Sequence, residues 1–533
     1  MADLADLIVT NARALTQNPA GPTAEAVAVT GNRIQLVGSE ADALALRGPD
    51  TVMVDAAGKT LLPGIIDSHF HLLWGSLRLG ELQLEGVQSI DKLRATILSY
   101  RDEHPNRPLL RGQGLSYDVL PDRRLHRTDL DAIVADVPLV LTCFDVHTVW
   151  CNTLALEAAG ILNGASVSGG EVVMDPDGFA TGELREFPAM DLVYALFPEP
   201  SADEQLRLLK RGVAQASSYG ITSVHNMNGD PDEFALYRLL EEANELPLRL
   251  YVPYRITPEM PISVVEDAVA LRDSYRSDKL RAGAFKLFMD GVVESYTAFL
   301  TEPYVGTQNV GEALFSAEHF SELAVRADRA GLQVAVHAVG DAAVRRALDG
   351  FETAQRTNGK RDSRHRIEHI ELLHPDDLER FAALGVVASM QPYHCTRPEL
   401  GYLPSWMRYV PEGRFDDSFA WRTLRDAGAH LTFGSDWPVV SMNPFLGFDA
   451  AVNRQPWGPG LPRQAQSLEE TLAAYTKDGA YTEFAEHDKG QLRAGMLADM
   501  VLLSEDVTTL ALEELVKLEA TLTISDGKIV FER

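Results

Sequence analysis

Between residues 61 and 433, short apolar runs recur at 61–66, 221–225, 248–252, 282–288, 332–337, 365–369, 386–390 and 430–433. Continuous apolar runs of this size suit strands buried on both faces, as in a parallel sheet covered by helices. Most of the segments between them, such as 232–245, 262–274 and 317–330, space their apolar positions as an amphipathic helix does. Strands alternating with helices in this way predict an α/β fold, a (β/α)8 TIM barrel. A doubly wound parallel sheet is the alternative, because alternation alone does not decide whether the sheet closes.

Both ends have a different texture. Ala26-Val-Ala-Val-Thr is followed by Gly31-Asn32 and then Arg33-Ile-Gln-Leu-Val, two strand-like runs joined by a turn pair. The segments 498–503 and 521–531 repeat that style around Asp526-Gly527. The expected organisation is a small β-sandwich domain formed by both termini, residues 1–60 and 490–533, around a barrel over 61–489. The interval from about 79 to 202 is too long for one barrel connection. It reads as a long insertion after barrel strand 1, with a helix over 90–103, a strand over 139–144 and glycine-rich turns between 164 and 182. Insertions at strand C-termini commonly shape a barrel's substrate pocket.

Composition narrows the functional classes. In 533 residues, 77 acidic against 48 basic side chains leave a net charge of −29. That balance opposes binding to nucleic acid or to an anionic membrane. The opening Met1-Ala-Asp-Leu-Ala-Asp-Leu carries acids where a secretion signal has a basic start, and no apolar run approaches the roughly 20 residues of a membrane span. Cys143, Cys151 and Cys395 lack CxxC spacing, so a reducing, cytoplasmic location is expected and a cysteine metal site is not. A small-molecule substrate is the expected partner, with a homodimer left open. Neither a GxSxG elbow nor a GxxxxGK[ST] phosphate loop occurs, which disfavours a serine hydrolase and an ATPase.

Chemistry enters at Pro63-Gly-Ile-Ile-Asp-Ser-His69-Phe-His71. Residues two apart on a strand share a face, so His69 and His71 can offer two imidazoles to one metal ion. A lone HxH is a weak signal. It gains weight from His337 and His369, which close two later runs, and from Asp436 just past the last one. Lys286 lies within Gly283-Ala-Phe-Lys-Leu-Phe-Met-Asp-Gly, where a free ammonium is costly to bury. Each residue alone has a plain structural explanation, but strand C-termini converge on one face of a barrel and would bring all six together.

These motifs, with Val-His-Ala-Val-Gly-Asp, Arg-Ile-Glu-His, Gly-Ser-Asp-Trp-Pro-Val and Gly-Met-Leu-Ala-Asp-Met-Val, resemble the amidohydrolase superfamily over nearly the whole length. Within it they resemble the YtcJ-like branch that includes N-substituted formamide deformylases. The resemblance implies a metal-bearing barrel with a small β-sandwich. It implies His69, His71, His337 and His369 as metal ligands and Asp436 as ligand and catalytic base. Lys286 would be carboxylated and bridge two ions, Zn2+ foremost, with other divalent transition metals as alternatives.

Further candidates are substrate-facing. Asp145-Val-His147-Thr-Val-Trp-Cys-Asn resembles a motif of the branch in which the histidine faces the pocket, although a helix-capping turn explains it equally well. Glu183 in Thr-Gly-Glu-Leu-Arg, His225 at the second strand end, and Gln391 and Trp437 at the last two strand mouths are the other expected pocket residues. Pro438, Tyr117, Trp150 and Phe299 would add an apolar aromatic wall, whereas His104, His126, His319, His374 and His487 read as surface residues. The expected activity is hydrolysis of the C–N bond in a small N-substituted amide or formamide by metal-activated water. Hydrolysis of an ester, lactone or cyclic amide, or deamination, is the alternative, and a non-catalytic ligand-binding regulator comes behind both.

Overall fold

A computed structural model describes residues 4–198, 200–395 and 405–533. In it the eight apolar runs become eight parallel strands: β1 (Ile65–Phe70), β2 (Ile221–Asn226), β3 (Arg249–Arg255), β4 (Leu280–Phe288), β5 (Gln333–Ala338), β6 (Arg366–His369), β7 (Val387–Met390) and β8 (His430–Phe433). Each pairs with its neighbour in the sequence, from β1 through to β8. A doubly wound sheet reverses its strand order midway; this one does not. The ring closes just beyond the strand ends, where the Asp436 N–H donates to the His69 carbonyl at 2.7 Å and the His71 N–H to the Trp437 carbonyl at 2.9 Å.

The strands run apolar because both faces are covered. Every residue of β1, β2, β5, β6 and β7 is buried, with the helices packed outside. Ser201, Asp230 and Ser316 cap the helices Ala202–Ser218, Pro231–Glu242 and Ala317–Arg329 by accepting backbone N–H groups at their first turns. Two buried aspartates fasten the mouth. Asp67 accepts the backbone N–H groups of His69 at 3.2 Å and Ser435 at 2.9 Å, joining β1 to the loop after β8. Asp290 accepts those of Phe299, Val339 and Gly340 at 2.8–3.0 Å, joining the loops after β4 and β5.

The two termini build two facing sheets. One contains only N-terminal strands, in the order Arg33–Gly38, Ala26–Thr30, Ala5–Thr10, Arg47–Asp55. The other mixes both ends of the chain, with Met500–Leu503 pairing antiparallel to Thr60–Pro63 and to Ala520–Ser525. Leu7, Val9, Val27 and Ile34 of the first meet Leu61, Met500, Leu502 and Ile524 of the second in one apolar layer.

Between β1 and β2 the insertion is more regular than its sequence implies. It holds the expected helix Ile90–Glu103, but also a six-stranded mixed sheet rather than one strand. Leu110–Leu115 carries two glycines and Ala180–Arg185 only a short alternation, so neither run carries a period of its own. Pairing with the apolar strand Leu139–Cys143 and its hairpin partner Thr148–Cys151 supplies the order that local propensity does not.

Candidate metal centre

The mouth of the barrel collects four neutral imidazoles, one lysine and one ionised carboxylate. His69 is the first to be fixed. Its Nδ1 lies 2.7 Å from Glu368 Oε2, and both side chains are almost fully buried. A carboxylate only accepts, so Nδ1 carries the proton and Nε2 keeps a free lone pair. That Nε2 is buried without a hydrogen-bond partner among the described residues and lies 3.4 Å from Asp436 Oδ1. His71, one turn of the pleat further, has Nε2 3.0 Å from the same oxygen.

The other two histidines are held the same way. His369 Nδ1 donates to Gln391 Oε1 at 2.9 Å, which leaves Nε2 free. His337 Nε2 donates to the Gly291 carbonyl at 3.1 Å, which leaves Nδ1 free. Burial keeps all four uncharged: His69 is pushed down to about 4, His71 is lowered, and His337 and His369 fall well below the ordinary value. Asp436 goes the other way from a simple buried acid. Burial would raise it, but the imidazoles of His69, His71 and His369 outweigh burial and hold it well below the usual carboxylate range. Lys286 Nζ is buried without a hydrogen-bond partner among the described residues; burial pushes it down to about 8. His369 and Asp436 both have positive φ, 75° and 61°, a left-handed twist at the strand ends that re-aims their side chains.

The residues fit a divalent metal ion. Donor atoms of His69, His71 and Asp436 lie within 4.8 Å of one another, and so do those of His369, His394 and Asp436. His69 Nε2 and Asp436 Oδ1 face each other buried and without a hydrogen bond, which is costly in a dry site, and a cation removes that cost. Neutral imidazoles with a carboxylate are the donor chemistry of zinc and its transition-metal neighbours.

The insertion faces this group from across a cavity of about 330 Å3. His147 and Glu186 form a pair there, Nδ1 to Oε2 2.8 Å, and Glu186 Oε1 in turn accepts from the hydroxyls of Ser295 and Thr297. Burial opposes charge on His147, but Glu186, with smaller help from Asp145 and Asp436, outweighs it and pushes the imidazole up to about 9. The cavity is walled by Trp74, Phe144, Phe187, Phe288, Trp406 and Phe419. A second cavity of about 970 Å3 shares His147, Phe187, Arg255 and Phe288 with the first.

The expected substrate-facing residues divide sharply. His147 faces the cavity. His225, Glu183, Gln391 and Trp437 do not line either cavity, and neither do Pro438, Tyr117, Trp150 or Phe299. His225 lies beneath the floor, with Nδ1 2.8 Å from Arg366 and Nε2 3.3 Å from Glu483. Glu183 pairs with Arg185 at 2.9 Å inside the insertion sheet. Gln391 holds His369 instead of touching the cavity. Trp437 packs on Phe70 with ring centres 5.1 Å apart, over Gly75, where a Cβ would fall 2.2 Å from the indole. Tyr117 donates to Asp145 at 2.7 Å, Trp150 fills the insertion core, and Phe299 turns toward Arg346. The aromatic character of the pocket was legible, but its members were not. His104, His126, His319 and His374 are half-buried and His487 is exposed, all away from the cavities.

Two further residues went unread. His394 sits beside Asp436 and Glu186 beside His147. His394 lies three residues past Gln391, one of the expected pocket residues. Glu186 closes the Glu-Leu-Arg-Glu run that was read through Glu183.

A model of the amidohydrolase family matches residues 52–531. The chain is 33% identical over 517 residues to the protein LONG AFTER FAR-RED 3 of Arabidopsis thaliana, covering 94% of this chain and 87% of that one. It is 27% identical over 556 residues to an N-substituted formamide deformylase of Arthrobacter pascens, covering 100% and 99%. Among solved structures, an uncharacterized metal-dependent hydrolase from Pyrococcus furiosus superposes with a TM-score of 0.71 at 27% identity, over 93% of this chain and 98% of the other.

The charge on His147 is predicted to depend on its partner. In Glu186→Gln the remaining influence is chiefly burial, so the imidazole should drop from about 9 to below its ordinary 6.5. Nitrogen-15 NMR of histidine-labelled, metal-free protein across pH 5–10 reads this directly. An unchanged titration would show that Asp145 and Asp436, not Glu186, hold the charge.

Proposed function

Because the chain belongs to the amidohydrolase family and is a metal-dependent hydrolase, we propose that it cleaves the C–N bond of a small N-substituted amide, formamides foremost, releasing a carboxylic acid and an amine. The observation that carries this reading is the pairing of an ionised Asp436 with lone-pair-bearing imidazoles at the floor of a small aromatic cavity. A cavity of about 330 Å3 suits a small, largely apolar molecule rather than a polymer. The similarity to an N-substituted formamide deformylase over the full chain supports the same substrate class.

His69, His71, His337, His369 and Asp436 would hold the metal, with zinc as the first choice. Lys286 would join them after its neutral amine adds CO2 and loses a proton, giving an anionic carbamate with two oxygens able to bridge two ions. A metal bound there lowers the pKa of a water toward about 7 and polarises an acyl oxygen. The chain's own groups do the rest. Asp436, an acceptor at neutral pH, takes the proton of the attacking water and returns it to the departing nitrogen. His147, charged and facing Asp436 across the cavity, donates a hydrogen bond to substrate oxygen or nitrogen. The aromatic walls hold the amine's substituent and exclude bulk water. No helix among the described residues is long and apolar enough to cross a membrane. Cys143, Cys151 and Cys395 are buried and form no disulfide among the described residues, which suits the reducing compartment proposed for this enzyme.

Three measurements bear on this. Matched N-benzyl formamide, N-benzyl acetamide, simple esters and lactones, compared by kcat/KM, should rank the formamide first; activity on esters or lactones with every amide inert would overturn the substrate assignment. Asp436→Asn should fold and lose about 10²–10⁴-fold in kcat, and a loss of only a few-fold would remove Asp436 as the base. Protein equilibrated with 13C-bicarbonate should show a carbamate resonance that Lys286→Ala lacks. A metal-replete wild type without that resonance would leave Lys286 unmodified.

A further inference from the structure

His394 stands in a donor group with His369 and Asp436 but has no part in the reaction proposed above. It lies in the short helix Pro392–Cys395 that follows β7. Its ring runs nearly parallel to that of His369, with centres 6.0 Å apart and planes at 12°. Nε2 is buried with no hydrogen-bond partner among the described residues, and Asp436 Oδ2 lies 3.8 Å away. That separation is too long for a hydrogen bond and suits two donor atoms that face one cation. On the opposite side of the ring, Nδ1 lies 3.9 Å from Glu371 Oε1. At that distance the carboxylate is not hydrogen-bonded to the ring, but it stands on the side where metal-binding imidazoles typically carry a carboxylate or carbonyl partner.

His369 contributes independently. It approaches Asp436 by Nδ1, 3.9 Å from Oδ2. Because the proton of that nitrogen goes to Gln391 Oε1, Nε2 is the nitrogen left to accept, and a turn of the ring would bring it to the site, where the unpaired nitrogen of His394 already lies. Asp436 then serves two donor groups at once: His69 and His71 on one side, His369 and His394 on the other.

We propose that His394 is a metal ligand, completing with His369 and Asp436 a second cation site beside the one formed by His69, His71 and Asp436. Two neutral imidazoles and one carboxylate select a transition metal such as zinc or cobalt over calcium or magnesium. The proposal rests on the metal-dependent reading above and adds to it a ligand from the seventh strand's loop.

The test uses the full chain, stripped of metal and titrated with Co2+, for wild type, His394→Gln and His394→Cys. Wild type is expected to take up two ions. H394Q should keep one at wild-type affinity and bind the other at least about tenfold more weakly. H394C should add a thiolate-to-cobalt charge-transfer band that wild type lacks. Wild-type affinity for both ions in H394Q overturns the proposal whatever happens to activity, because an imidazole that only touches substrate lowers turnover and leaves uptake intact. Should H394Q fail to fold, the H394C band decides: its presence supports ligation and its absence overturns it. If wild type itself takes up no Co2+, the metal-dependent reading of the whole site fails, a result distinct from loss of the second ion alone.

Discussion

The hydrogen bond from His69 to the buried Glu368 carboxylate fixes which nitrogen of the first-strand histidine is free, and the site is arranged around that choice. Glu368 can stay ionised only because burial, which would neutralise it, is outweighed first by the Arg366 guanidinium and then by His69 itself. Arg366 in turn reaches the Ser68 carbonyl, the Ser389 hydroxyl and His225. His225 leads to Glu483, which Lys489 pairs at 2.6 Å and Arg281 at 2.9 Å. The barrel interior therefore holds a chain of charged side chains linked through the neutral imidazole of His225, running from His69 to the segment after β8. Removing one member of such a buried pair typically costs about 3–5 kcal/mol, because the other is left unpaired. His225, expected at the pocket wall, is better understood as part of this support.

Around that rigid floor the chain adds a second, separately built wall. Asp436 arrives from β8 and His147 from the insertion, and opposite causes set their charges. Asp436 is held anionic by imidazoles, and His147 is held cationic by carboxylates. A carboxylate that accepts and an imidazolium that donates thus line one cavity at neutral pH. Val146 and Glu186 have positive φ of 60° and 63°, so the backbone is twisted on the insertion side as well as at His369 and Asp436. Strain on both sides of one cavity is the pattern expected where geometry serves chemistry.

The barrel, the two-ended sandwich and the six residues at the strand ends were all legible in the sequence, for one physical reason. Apolar runs of strand length mark positions relative to the sheet, so chemical residues within or just past them can be placed near the barrel mouth, although His225 shows that a strand-end residue can also turn under the floor. The pocket walls were not legible because they hang on loops, whose side chains are aimed by neighbours rather than by a period. Trp437 shows the difference: its strand-end position suggested a wall, yet the absence of a side chain at Gly75 opens a slot that draws the indole away. Gln391 and His225 were found as polar residues near the site, but which partner each would take depends on tertiary neighbours such as His369 and Arg366. Glu186 and His394 have neighbours in the sequence that were noticed, and only their contacts set them apart.

Everything at the barrel mouth depends on the buried Glu368 carboxylate setting which nitrogen of His69 is free. The direct measurement is the zinc dissociation constant of Glu368→Gln against wild type, by competition with a chelator of known affinity, alongside the unfolding temperature of both metal-free proteins. A neutral amide can still occupy the space but no longer compels Nδ1 to carry the proton, so the account predicts zinc binding weaker by about 10- to 100-fold. Wild-type zinc affinity in a folded E368Q protein would contradict it.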